Sequence, residues 1–186
     1  MRIIAGRFKR RRLVSPKHTT VRPTSDRVKE SYFRMVQNQI VGVNFLDLCA
    51  GSGAIGLEAF SRGAEQVFFL ENDYRSVRLI KDNLKKCGVS ADNHRIKLLP
   101  VDAQRYLNDF DSTQIQFQMI YFDPPYDSDF YFKCLNRVST SHILVDQGII
   151  CVEHDQNNFP TQIGDLKQIK QKKYGNTRLS FFRMGK

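Results

Sequence analysis

Short apolar runs alternate with longer amphipathic stretches along this chain, and that alternation predicts most of its elements. The runs at 44–49, 66–71, 95–100, 117–122 and 147–153 are of strand length and mostly Val, Ile, Leu and Phe. Runs of this kind read as strands buried on both faces. The stretches between them, at 54–62, 73–87, 102–110 and 129–140, read as helices, so the strands are joined by crossovers and run parallel. A further helix is expected over about 23–39, opened by Pro23-Thr24-Ser25-Asp26 with a proline and an acid in its first turn. At both ends the pattern turns strand-like. Arg2-Ile3-Ile4 and Arg12-Leu13-Val14 predict a small hairpin over 2–15, and 166–173 with 178–184 around Tyr174-Gly175-Asn176 predict a second. No repeat, linker or low-complexity segment divides the chain. It reads as one α/β domain over 1–186, with 1–22 a basic hairpin extension and 23–186 the core.

Ligands of open α/β sheets bind at the carboxyl ends of the strands, and the chain's motifs fall there. Asp47-Leu48-Cys49-Ala50-Gly51-Ser52-Gly53-Ala54-Ile55-Gly56 reads as a strand, a glycine turn and a helix. Gly51 and Gly53 permit a tight turn and close approach to a ligand, and Gly56 lets the helix lie near the strand. The pattern G-x-G-x-x-G serves dinucleotides and other adenosine ligands alike. Glu71 closes the next strand at the distance from Gly51 expected of a ribose-binding acid; the plainer alternative is a solvated carboxylate. Asp47 and Asp102 favour a ligand with both an ammonium and an adenine amine, which need acceptors. The plainer alternatives are that Asp47 is satisfied by the loop's own N–H groups and that Asp102 caps a helix beginning near Ala103.

Asp123-Pro124-Pro125-Tyr126 follows the fourth apolar run. Two prolines stop the strand in a stiff loop and bias Asp123 to an extended conformation, which preorients its carboxylate and the nearby carbonyls as acceptors. Tyr126 adds a flat stacking face. The arrangement suits holding a planar amine, and points to methylation of an exocyclic base nitrogen; an ordinary strand-ending turn is the commoner use of a Pro-Pro pair.

With these residues the chain resembles the class I, Rossmann-like S-adenosylmethionine-dependent methyltransferases, and more closely the RsmD family of 16S rRNA guanine-N2 methyltransferases. The blocks that carry the resemblance span nearly the whole chain: Arg2-Ile3-Ile4-Ala5-Gly6, Arg22-Pro23-Thr24-Ser25-Asp26-Arg27-Val28, Asp47-Leu48 with Ala50-Gly51-Ser52-Gly53, Gly56-Leu57-Glu58-Ala59 with Ser61-Arg62-Gly63-Ala64, and Asp-Pro-Pro-Tyr. Two departures stand out. Cys49 occupies a position usually aromatic in such proteins, and Lys9-Arg10-Arg11-Arg12 lacks an expected glycine. The resemblance implies a mostly parallel seven-stranded sheet with its last strand antiparallel, helices on both faces, and S-adenosylmethionine as cofactor. It implies cofactor contacts at Asp47, Ala50, Gly51, Ser52, Gly53, Glu71, Asn72, Asp102 and Ala103, and catalytic roles for Asp123, Pro124, Pro125 and Tyr126. It also implies, as substrate, a guanine of small-subunit rRNA in an assembled or partly assembled particle whose preformed shape a small protein can read.

Charge placement agrees with an RNA partner. The net charge is +10, and eleven of the 29 Lys and Arg fall in residues 1–35 against two acids, with seven more in 165–186 against one. The middle of the chain is therefore net acidic. Such segregation favours a phosphate-binding surface over a small acidic metabolite, with Arg7, Lys9, Arg10, Arg22 and Arg27 as candidate substrate contacts. The four cysteines form no C-x-x-C pair and the four histidines lack ligand spacing, so buried thiols of a reducing, cytoplasmic compartment and no metal are expected. No run approaches membrane-span length, and a monomer is expected. Among alternatives, a DNA adenine-N6 methyltransferase ranks second, because little chain remains for a target-recognition domain. A glutamine-N5 protein methyltransferase more typically carries Asn-Pro-Pro-Tyr. A nicotinamide oxidoreductase leaves Asp123 to Tyr126 without a use, and a non-catalytic RNA-binding module has no need of the glycine loop.

Overall fold

The computed structural model describes residues 1–15, 26–90, 92–111, 115–124 and 128–185. Its centre is an eight-stranded sheet of order β3-β2-β1-β4-β5-β8-β7-β6. The strands are β1 (Asn44–Leu48), β2 (Gln66–Leu70), β3 (Ile96–Leu99), β4 (Phe117–Phe122), β5 (Leu144–His154), β6 (Gln162–Ile163), β7 (Leu166–Tyr174) and β8 (Thr177–Met184). The first five run parallel, and β8, β7 and β6 follow antiparallel. Helices α1 (Asp26–Val36), α2 (Ala54–Ser61), α3 (Tyr74–Lys86), α4 (Ala103–Asn108) and α5 (Ser128–Thr140) connect or cover them. The expected seven strands become eight, because Gly164, at φ 55°, turns the chain tightly enough for Gln162 and Ile163 to pair with Lys167 and Leu166. Residues 23–25, the expected opening of α1, lie outside the described residues.

The sheet separates two cores. Strand residues such as Phe45, Phe69, Tyr121 and Phe181 meet α1, α2 and α3 on one face. Their sequence neighbours Leu46, Leu70, Phe122 and Phe182 meet α4 and α5 on the other, as the two-residue repeat of a strand requires. Helix α1 seats Val28, Tyr32, Phe33 and Val36, and the Tyr32 ring meets Tyr121 edge-on at 4.8 Å and stacks on Phe181 at 6.0 Å.

Helix α2 is buried at all eight of its residues. One face lies on the sheet, and the amino-terminal segment covers the other. That cover is not the expected hairpin. Arg2 and Arg12 make a single isolated bridge, flanked by Leu13 N–H on Met1 O at 3.1 Å, Ile3 N–H on Arg11 O at 2.9 Å and Arg10 N–H on Ile3 O at 2.9 Å, and beyond Ile3 the backbone bonds to α2. The Glu58 carboxylate accepts Ile4 N–H at 2.7 Å and Ala5 N–H at 2.9 Å. Ser61 accepts Arg7 N–H through its carbonyl and Phe8 N–H through Oγ. With the donors of Ala5, Arg7 and Phe8 taken by α2, the cross-segment bonds stop at Ile3, which is why two strands do not develop. Glu58 is itself held by Lys29 at 3.4 Å and Arg62 at 2.8 Å, with no exposure of the Glu58 or Lys29 side chains. The Lys29 ammonium also donates to the carbonyl of Arg2. At Gly6 a Cβ would stand 1.8 Å from the Ser61 carbonyl oxygen, so the contact admits only glycine.

Candidate active site

Register brings four strand ends level. Leu48 of β1 pairs with Leu70 of β2 and with Phe122 of β4, and Leu70 pairs with Leu99 of β3. Cys49, Glu71, Asp123 and Pro100 are the residues that follow, so the glycine loop, Glu71 and Asp123 leave the sheet at one edge. Strand order also reverses there: the chain runs from β1 outward to β3, then returns to β4 on the other side of β1. A crevice at such a reversal is where open α/β sheets take their ligands. A hollow of about 240 Å³ lined by Gln39, Gln118, Met119 and Asp146 lies toward the opposite, amino-terminal ends of β4 and β5.

The glycine loop is coiled by three left-handed residues, Cys49 (φ 74°), Gly51 (φ 54°) and Gly53 (φ 72°). Each of its turns is tied. Ala50 N–H donates to Leu70 O at 2.8 Å, Gly51 N–H to the Glu71 carboxylate at 2.7 Å, and Gly53 N–H to Ala50 O at 2.7 Å. Asn83 of α3 donates to Ser52 O at 2.9 Å. A Cβ on Gly56 would come within 2.4 Å of the Phe69 ring, so this glycine lets α2 lie against β2 as the sequence predicts.

The acids around the loop differ in how they are satisfied. Glu71 spans Gly51 N–H and Asp73 N–H, and partial burial raises its carboxyl above the usual range despite these donors. Asp47 is 2% exposed, and among the described residues its one hydrogen-bond donor is Gly56 N–H at 2.8 Å. Burial pushes its carboxyl up to about 8, with Glu71 adding to the rise and the Gly56 bond opposing it. Asp102 caps α4, accepting Arg105 N–H at 3.0 Å beside the buried Ala103. Asp123 is half-buried and Pro124 buried. The Cys49 thiol lies among these groups: burial raises its pKa well above the ordinary value, with Cys134, Glu71, Asp123 and Asp47 adding to the effect. By register, Glu71 and Asp123 leave the sheet on either side of Cys49, one residue beyond the Leu48–Leu70 and Leu48–Phe122 pairs.

The crevice thus gathers Asp47, residues 50–53, Glu71, the exposed Asn72, Asp123 and Pro124, with Asp102 and Ala103 just beyond β3. The basic candidates lie elsewhere. Arg7 is at the far end of α2, its guanidinium 3.9 Å from the centre of the Phe60 ring and 4.5 Å from that of Phe8. Lys9, Arg10 and Arg27 are exposed on the amino-terminal segment and α1. Arg22, Pro125 and Tyr126 lie outside the described residues. Among those described, no group of three or more His, Cys, Asp or Glu is placed to hold a metal ion, and no helix is long and apolar enough to cross a membrane.

Residues 1–183 match the family model described as conserved hypothetical protein 95. The chain belongs to this family. It is 34% identical over 184 residues to a Bacillus subtilis (strain 168) protein named "Putative rRNA methyltransferase YlbH", covering 98% of each. It is 32% identical over 162 residues to the ribosomal RNA small subunit methyltransferase D of Escherichia coli (strain K12), covering 87% of this chain and 78% of that protein. The solved structure of an Escherichia coli protein described as "Putative methyltransferase yhhF" superposes with a TM-score of 0.86 at 26% identity, over 100% of this chain and 98% of that one.

Three residues that sequence reasoning passed over shape the site of this conserved hypothetical protein 95 chain. Asn83 receives Val14 N–H at 2.7 Å and donates to Val14 O at 3.1 Å as well as to Ser52 O, so it joins the amino-terminal segment to the glycine loop. Its signal was a polar residue on the apolar stripe of α3, with Ile80 and Leu84. Glu153, beside Asp123 across β4 and β5, accepts the Tyr121 hydroxyl at 2.5 Å and is 6% exposed. An acid ending an apolar strand was the clue. Glu58 is a charge inside the otherwise apolar run Ala54-Ile55-Gly56-Leu57 and Ala59-Phe60, a pattern that demands a buried partner.

Proposed function

We propose that this chain transfers the methyl group of S-adenosylmethionine to the exocyclic N2 of a guanine in 16S (small-subunit) rRNA, within an assembled or partly assembled particle. The coarser statement, an S-adenosylmethionine-dependent methyltransferase acting on rRNA, follows from family membership and its named relatives. What supports the finer reading is the juxtaposition of Asp123-Pro124 with the glycine loop, one residue beyond the Leu48–Phe122 pair. A methyl donor held by the loop and an amine held by Asp123 are then neighbours. One domain and a monomer suffice for this reading.

The residues around the loop fit such a ligand. Asp47, buried with a single N–H donor, suits an ammonium, which would restore its charge. Glu71 suits ribose hydroxyls and Asp102 the adenine amine, with Ala50, Gly51, Ser52, Gly53, Asn72 and Ala103 shaping the walls. When bound, S-adenosylmethionine supplies an electrophilic methyl group on a sulfonium. The chain's own work is on the nucleophile. A guanine amine is weak because its lone pair is conjugated with the ring. If the Asp123 carboxylate and the Pro124 carbonyl accept its two N–H bonds, the nitrogen is biased to pyramidal geometry with its lone pair aimed at the methyl group. The same acceptors stabilise positive charge developing on nitrogen. Pro125 stiffens this loop and Tyr126 stacks on a base that is unpaired or flipped out. Arg7, Lys9, Arg10, Arg22 and Arg27 grip substrate phosphates.

Labelled methyl transfer to unmodified small ribosomal subunits, free rRNA, duplex DNA and protein, followed by nucleoside analysis, tests this. Label in N2-methylguanosine supports the reading, and label in N6-methyladenine moves the chain to a DNA or RNA adenine substrate. Asp123→Ala is expected to retain cofactor binding and lose turnover, whereas Gly51→Val is expected to lose binding. Full activity of the Asp123 variant sinks the amine clamp.

A further inference from the structure

We propose that β7 forms a second grip on the RNA backbone, on the same face of the sheet as the amino-terminal basic segment. The proposal rests on the rRNA reading above. In an antiparallel pair, residues directly opposite share a face. Lys170 pairs with Phe181 and Lys172 with Leu179, and both partners belong to the core under α1. Lys167 pairs with Arg183, two residues beyond Phe181 and so on that same face. Tyr174 continues the row, its hydroxyl hydrogen-bonded to Ser31 of α1. Lys167 and Lys170 are three residues apart and would point to opposite faces of a regular strand. A register shift between Gln168 and Lys170 inserts Ile169 and returns Lys170 to the α1 side. Lys173 pairs with Arg178 and takes the other face.

These lysines are exposed, and no salt bridge engages them among the described residues. Helix α1 links them to the amino-terminal segment: Lys29 holds the Arg2 carbonyl on one side and Ser31 holds Tyr174 on the other. The exposed acid Glu30 of α1 is paired with Arg34. Two basic banks thus flank α1 on one face of the sheet. From β2, beneath α2, to β7 is five strand spacings, roughly 24 Å at 4.7–4.9 Å each. That is the scale of a short RNA element, so one RNA element can engage both banks. Lysines on a sheet edge also guard against edge pairing. A guard has no need of one face, whereas here three lysines of β7 take the α1 side and one the other.

Adjacent residues of β7 provide the test. Lys172→Glu and Lys173→Glu make the same charge change on opposite faces of one strand. Affinity for unmodified small ribosomal subunits is measured over a salt series, with thermal unfolding as the check on folding, for both variants and for Lys170→Glu/Lys172→Glu. Lys172→Glu is expected to weaken binding about five- to tenfold and the double variant about thirtyfold or more, with the salt slope falling by roughly 0.7–0.9 per lysine. Lys173→Glu is expected to stay within about twofold. Equal losses for Lys172 and Lys173, or no binding by the wild type, overturn the proposal. Methyl transfer by the wild type is read separately. Face-dependent binding without transfer supports the β7 grip and overturns only the proposed reaction, while transfer with equal losses overturns only the grip.

Discussion

Two buried carboxylates eleven residues apart, Glu58 and Asp47, do opposite things. Glu58 is surrounded: Lys29, Arg62 and the N–H groups of Ile4 and Ala5 all reach its two oxygens. Asp47 has Gly56 N–H alone among the described residues. Burial of a charge is tolerated only when partners replace the lost water. Glu58 has its partners from within the chain and so acts as a structural knot. Asp47 is short of them among the described residues and its carboxyl is pushed up to about 8, which on the proposed function leaves it to take the ammonium of the cofactor. On the proposed function, incompleteness rather than burial is what separates the site residue from the structural one.

The comparison breaks first at Glu58. Glu58→Ala leaves Lys29 buried without its counter-charge and is expected to cost about 3–5 kcal/mol, read as a lowered Tm with fast hydrogen exchange at the Ile4 and Ala5 amides. A Tm within a degree or two of wild type would mean the knot holds nothing. Asp47→Asn is expected to behave differently. The folded carboxyl is raised to about 8 against about 3.9 in the unfolded chain. Wild-type stability is therefore fullest below the unfolded value and declines as pH rises towards 8, by at most about 1.4 kcal/mol per unit. The asparagine variant lacks this decline, so its Tm relative to wild type should climb between pH 5 and 8 while its cofactor affinity falls. Calorimetry in buffers of different ionisation enthalpy sharpens the point: S-adenosylmethionine binding at pH 7 should release up to one proton from wild type and none from the variant. Equal proton release by the two proteins would remove Asp47 from the ammonium site.

Asn83→Ala deprives Val14 and Ser52 of their shared partner. A loss of about 1–3 kcal/mol is expected, together with weaker cofactor binding, because the glycine loop loses a tie. Unchanged cofactor affinity would restrict Asn83 to holding the amino-terminal segment. The smallest effect is expected at Arg10, whose φ of 72° is left-handed. Arg10→Gly should gain about 1 kcal/mol by releasing that strain and at the same time weaken RNA binding through the lost charge.

The elements of the core were legible because their periods are local. Strand and helix repeats predicted β1 to β5 and α2 to α5 within a few residues, and Gly56 was read as a close-packing position, which the Phe69 ring bears out. Asp102 was readable as a cap, and it is one. The amino-terminal hairpin was misread because its fate depends on residues more than fifty positions away. Alternation in Arg2-Ile3-Ile4 reports a possible strand, and cross-segment bonds do form around Ile3, but from Ala5 on Glu58 and Ser61 take the N–H groups that would extend them. The missing glycine among Lys9 to Arg12 was a genuine signal, since Arg10 adopts the left-handed turn a glycine would make freely. Cys49, the other departure from the family pattern, is also left-handed. The two-residue β6 was illegible, being too short for any repeat.

Strand β7 has one more consequence. Pairing with β6 covers only Leu166 and Lys167, so on that side the remainder of β7 carries no strand among the described residues. An uncovered edge invites a second copy to add its own strand, and mutual repulsion between rows of lysine opposes that pairing. Salt weakens that repulsion as it weakens attraction for phosphate. If β7 grips RNA as proposed, colloidal behaviour is tied to substrate chemistry: ionic strength high enough to strip RNA from the molecule is also the condition under which its β7 edges can meet.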